Sequence, residues 1–180
     1  LLAYANMQLN ALNSKVPDNI KSNVSETTQI VKDSLKEVRA LSKSLNNEVL
    51  SNIGLQASIE NEMQRLKRMD FSSTELEILG TQRELKNKKH EIIIFRILQE
   101  FFSNSVKYSE ADEIKVVLDY QEKQLVVKAS DDGKGFDITW AEQGSGIINM
   151  KSRAKLINTQ FDLESQIEKG VTLTLTYPFD

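Results

Sequence analysis

The chain has 180 residues, 39% of them hydrophobic, which suits one domain of ordinary size with a packed core and a smaller attached element. Its 23 basic and 26 acidic residues leave a net charge of −3, so no bulk field draws it to nucleic acid or to an anionic membrane. It has no cysteine for disulfides or thiolate metal sites and no apolar run long enough to span a bilayer; a cytoplasmic location is expected, whether or not a longer form is membrane-anchored.

The opening "LLAYANMQLNAL" places Leu2, Met7, Leu9 and Leu12 in a loosely amphipathic pattern, and Val16, Pro17 and Asp18 supply a turn and a helix start. From Asn19 to Asn46 the sequence reads as one long helix, because Val24, Val31, Val38 and Leu45 recur every seven residues. Two such helices cannot bury their apolar seam alone, so residues 1–46 are expected to form a helical hairpin that completes a four-helix bundle in a homodimer. The polar stretch 47–51 is expected as a junction, and 52–180 as a second domain. That domain opens with a helix from Ile53 to Met69 carrying Leu55, Ile59, Met63 and Leu66, followed by a strand at "TELEILG" and a second long helix around "FRILQEFFSNSVKY". "EIKVVLDY", "QLVVKAS" and "VTLTLTYP" alternate as strands. Helices and mostly antiparallel strands are mixed without strict alternation, which predicts an α+β domain with helices layered on one sheet face.

The second long helix carries a polar line. Arg96, Glu100, Asn104 and Lys107 are spaced by four, four and three residues on a helix otherwise made of Ile, Leu and Phe. A solvated face would explain the Arg and Lys, but Asn in a helix interior competes with the backbone, whereas a metal bridging phosphates needs a short oxygen ligand. Four of the seven glycines fall between Gly133 and Gly146. "SDDGKGFD" sets Asp131 at a strand end, with Gly133 and Gly135 letting the backbone close against a flat ligand, and a carboxylate there can accept from an exocyclic amine. "GSGIINMKSR" puts Gly144 and Gly146 ahead of a helix start suited to phosphate oxygens. Each motif alone is also an ordinary turn. The P-loop Ser or Thr, the third glycine of a dinucleotide fingerprint and the protein-kinase signature set are all missing.

In order and spacing, "QEFFSNSVKYS", "DDGKGFD" and "GSGIINMKSRAKLI" resemble the N box and the two glycine boxes of sensor histidine kinases, and "SLKEVRALSKSLNNEVLSNIGLQASI" resembles the second dimerisation helix and junction of the class that pairs with helix-turn-helix response regulators. The resemblance implies a two-layer α/β sandwich of the gyrase, Hsp90 and histidine kinase kind, binding ATP with Mg²⁺. It implies that Asn104 holds the magnesium, Lys107 approaches phosphate, Asp131 reads the adenine amine and Glu100 orients or deprotonates the acceptor. Tyr108, Gly133, Gly135, Gly144, Gly146, Ile147 and Thr172 would complete the nucleotide site, with a short lid from Asp137 to Gln143. The expected partners are a response regulator and a second copy of the chain, with no direct nucleic-acid or membrane contact. Three positions depart from the family pattern: Tyr108 stands for a histidine, Asp132 for an asparagine, and Val171 for the threonine after a glycine, which puts the role of Thr172 in doubt. His90 begins the N-box helix itself and is expected to be structural or idle, so the acceptor histidine is expected upstream of this sequence. A superfamily ATPase of another branch, or a silent adaptor module, are the competing readings.

Overall fold

The computed structural model describes residues 18–68, 71, 73–138 and 145–179, with side chains outside 18–19 and 34–51. The predicted first helix of the hairpin, the side chains of Val38 and Leu45, Gly144 and most of the predicted lid lie outside the described residues. The chain divides between Val49 and Leu50 into two compact units.

The first unit is the leading part of α1, Asp18–Lys67. Val24 and Val31 of the predicted seam are half-buried, and Thr28 between them is buried with its hydroxyl donating to the Val24 carbonyl. The division between the two units falls inside the expected junction at 47–51, which is itself helical. The break falls at Gly54, whose φ of 81° and ψ of 172° leave the helix. The Leu55 N–H beyond it donates to the Glu91 carboxylate, which caps the restarted helix.

In the second unit a five-stranded sheet has the order β1-β2-β3-β5-β4, with β1 Ser73–Gly80, β2 Glu113–Tyr120, β3 Gln124–Asp131, β4 Gln160–Ser165 and β5 Val171–Pro178. The helices are α2, Lys88–Asn104, and α3, Ser145–Leu156. Period-two alternation buries Ile114, Val116 and Leu118, then Leu125, Val127 and Ala129, then Leu173, Leu175 and Tyr177 on one face. Ile94, Ile97, Leu98, Phe101 and Phe102 of α2 join them, as do Leu55, Ile59, Met63 and Leu66 from the last turns of α1. Each fully buried side chain of this size contributes about 1.5–3 kcal/mol. The other sheet face is polar, with Lys115 bridging Glu75 and Glu77 across the β1–β2 pair. This is the expected α+β two-layer sandwich. The strands are mostly antiparallel as expected, with β1 pairing β2 in parallel because α2 is a crossover between them, and β4 is an edge strand beyond those expected from the sequence.

Candidate active site

The site begins with α2. Asn87 caps it, its side-chain oxygen accepting from the Lys89 N–H at 2.9 Å, and the buried Ile and Phe stripe fixes the helix against the sheet. Its opposite side therefore carries Arg96, Glu100 and Asn104, all half-buried. Arg96 donates to Gln99, and its pKa is lowered by burial and by the nearby Arg153 charge. After Asn104 the backbone widens into a π-helical turn, Ser105–Ser109. The straight α-helical line expected through Lys107 stops there, and the wider turn carries exposed Lys107 and Tyr108 around the end of the helix.

A cavity of about 530 Å³ opens beside this turn. Of the predicted residues, Glu100, Asn104, Lys107, Tyr108, Asp131, Gly135, Gly146 and Ile147 line it. Gly133 does not; it packs against the π turn, where a Cβ would lie 2.3 Å from the Ser109 carbonyl oxygen. Thr172 does not either, since Val171 takes the buried, cavity-side position on β5 and alternation turns Thr172 to the opposite sheet face. Ser105, Phe136, Met150, Leu163 and Val171 also line the cavity without having been expected there.

Asp131 closes β3 at the cavity wall and is only 7% exposed. Its Oδ1 accepts from the Gly133 N–H at 3.1 Å and its Oδ2 from the Ser105 hydroxyl at 2.7 Å. Burial raises its pKa; the Ser105 hydroxyl and the N–H groups of Gly133 and Val171 work against that rise, while the Asp132 charge adds to it. Asp132 itself accepts from the Asp112 and Glu113 N–H groups at 2.9 and 2.8 Å, so its departure from the family pattern serves the loop before β2.

Across the cavity, Gly146 near the start of α3 faces α2. A Cβ there would lie 2.8 Å from Glu100 Oε1 and 3.5 Å from Asn104 Nδ2, so the missing side chain leaves the room in which these two groups stand. His90 is placed elsewhere, its Nδ1 2.8 Å from the Tyr177 hydroxyl at the end of β5, which gives it a structural role.

A buried carboxylate, an amide, a second carboxylate and a lysine thus share the lining of one cavity. Residues 89–180 match the family model described as histidine kinase-, DNA gyrase B-, and HSP90-like ATPase. The chain is 26% identical over 162 residues to the signal transduction histidine-protein kinase/phosphatase DegS of Brevibacillus brevis, covering 89% of this chain but 42% of that relative's length. In fold it is similar to the histidine kinase domain of the blue-light activated histidine kinase of Erythrobacter litoralis, with a TM-score of 0.63 at 15% identity over 98% of this chain and 96% of the other. The histidine kinase AdeS of Acinetobacter baumannii gives a TM-score of 0.60 at 14% identity over 98% and 93% of the two chains. With half of its length matched and the three boxes gathered around one cavity, the chain belongs to the histidine kinase-, DNA gyrase B-, and HSP90-like ATPase family, its ATPase domain being of the sensor histidine kinase kind.

Proposed function

We propose that this chain is the nucleotide-binding part of a dimeric histidine autokinase in a two-component system. It takes the γ-phosphoryl group of Mg-ATP to a histidine on an upstream bundle helix, from which the group passes to a response regulator with a helix-turn-helix output. The observation that carries this reading is Asp131: a buried, oriented carboxylate facing a cavity of nucleotide size, whose lining it shares with Asn104. Its acceptor lone pairs suit the adenine amine. Lys107 at the rim suits phosphate, and Asn104 is the residue that would hold Mg²⁺ in the space left by Gly146. An ion held by Asn104 would supply charge neutralisation for the phosphate chain. Glu100, which lines the same cavity as Asn104, would accept the N–H of an incoming imidazole and hold it in line. His90 is not the acceptor, since it heads the same helix and is engaged with Tyr177.

Calorimetric titration with ADP tests the reading. The wild type should bind, and Asp131→Asn should weaken binding about tenfold to a hundredfold, the equivalent of about 1.5–3 kcal/mol for a hydrogen bond to a charged group. Equal affinity in the two proteins would remove the adenine site.

A further inference from the structure

A carboxylate selects a base amine over an oxo group only while it is ionised and turned the right way. Ionised it can only accept; protonated it gains an O–H donor and complements an oxo group as well as an amine. In this chain the orientation of Asp131 is held by two hydrogen-bond donors. One is a backbone N–H, that of Gly133 on Oδ1, fixed by the turn. The other is a side chain, the Ser105 hydroxyl on Oδ2, at 2.7 Å and with Ser105 only 3% exposed.

Ser105 reaches that oxygen because it is the first residue of the π turn, directly after Asn104. From the β5 side Val171 presents only methyl groups, and the Thr172 hydroxyl belongs to the other sheet face. The hydroxyl therefore comes from the helix that also carries Glu100 and Asn104, which ties the base end of the cavity to its phosphate end. It is also the largest influence opposing burial and the Asp132 charge, both of which favour the protonated acid.

We propose that Ser105 is the positioning residue for base selection: by donating to Asp131 Oδ2 it turns the carboxylate's free lone pairs into the cavity as acceptors, favouring a purine with a 6-amino group over one with a 6-oxo group. The proposal rests on the adenine-nucleotide reading above, and hypoxanthine supplies the matched 6-oxo probe.

Calorimetric titration of the whole chain with ADP and with IDP tests it in wild type, Ser105→Ala, Ser105→Cys and Asp131→Asn. Ser105→Ala is expected to lose about tenfold in ADP affinity while IDP changes little, so that the ADP:IDP ratio narrows. Ser105→Cys keeps a weaker donor in a similar shape and should fall between, and it provides the same comparison should the alanine variant not fold. An unchanged ratio in both Ser105 variants, or an equal loss for the two nucleotides, overturns the proposal in favour of a packing role. If Asp131→Asn loses ADP while the Ser105 variants keep the wild-type ratio, only the assignment of Ser105 fails. If Asp131→Asn binds ADP like wild type, the adenine reading fails and the proposal with it.

Discussion

Gly146→Ala separates folding from chemistry. The added Cβ would meet Glu100 Oε1 at 2.8 Å, roughly 0.6 Å inside ordinary contact, and Asn104 Nδ2 at 3.5 Å, which is tolerable. Both are ends of side chains, so the carboxylate can swing aside. Displacing it from its rotamer costs about 0.5–1.5 kcal/mol, and replacing a helical glycine by alanine returns about 0.5–1 kcal/mol. Net stability should therefore change by less than about 1 kcal/mol, a few degrees in Tm for a domain of this size. The chemistry should respond far more, because a reacting group misplaced by about 1 Å can lose roughly a hundredfold in rate. The expected outcome is a near-normal melt, ADP affinity within a few-fold of wild type, and a ten- to hundredfold loss of phosphoryl transfer from labelled ATP, measured in a dimer carrying the acceptor histidine. A destabilisation beyond about 2 kcal/mol would show that Gly146 supports the fold. Unchanged transfer would show that the position of Glu100 is not set by this contact.

Gly133→Ala should do the reverse: its Cβ meets backbone, 2.3 Å from the Ser109 carbonyl oxygen, and overpacking of this kind costs about 1–3 kcal/mol, which urea unfolding will report and which a wild-type midpoint would contradict. Val31→Asp puts an unpaired charge at a half-buried position of the α1 seam and should shift the chain from dimer to monomer in light scattering; a wild type already monomeric, or a variant still dimeric, refutes the seam. Because burial raises the folded pKa of Asp131 above its unfolded value, the stability this residue contributes is full below the unfolded carboxylate range and is lost as pH rises through the folded value. The stability of wild type relative to Asp131→Asn should accordingly fall as pH rises from the unfolded carboxylate value of about 4 through the raised folded value, and a relative stability that rises over that span in paired urea titrations would reverse the argument.

The parts legible in the sequence were those with a period. Apolar residues at helical spacing marked α2 and the last turns of α1, and strict alternation marked β2, β3 and β5, because one-sided burial imposes those patterns. Strand β4 escaped notice because "QFDLES" buries only Leu163 fully and lies at the sheet edge. The junction was legible in place but not in conformation, since a polar stretch looks the same whether it breaks a helix or rides on one; the backbone kink itself falls at Gly54. Within the site, Glu100, Asn104 and Asp131 stood out as polar residues in apolar or turn contexts. Ser105 left no such sign: its role exists only because the end of α2 meets the end of β3, and no spacing along one element records that meeting. The π turn is silent in the same way, and it redirects Lys107 from the line that its spacing suggested. Thr172 shows the opposite error, where a motif position was followed although alternation along β5 already assigned the inner place to Val171.

Of the five strands of this sheet, the last to be synthesised does not sit at the rim. β5 is hydrogen-bonded to β3 on one side and to β4 on the other. Until Pro178 has left the ribosome, both of those strands expose unpaired ladders, and Asp131 lacks the strand residue paired with it. At about 5–20 residues per second, the interval between completing β3 and completing β5 lasts on the order of two to nine seconds. Throughout that window the nascent chain presents open, β-rich edges of the kind that recruit one another.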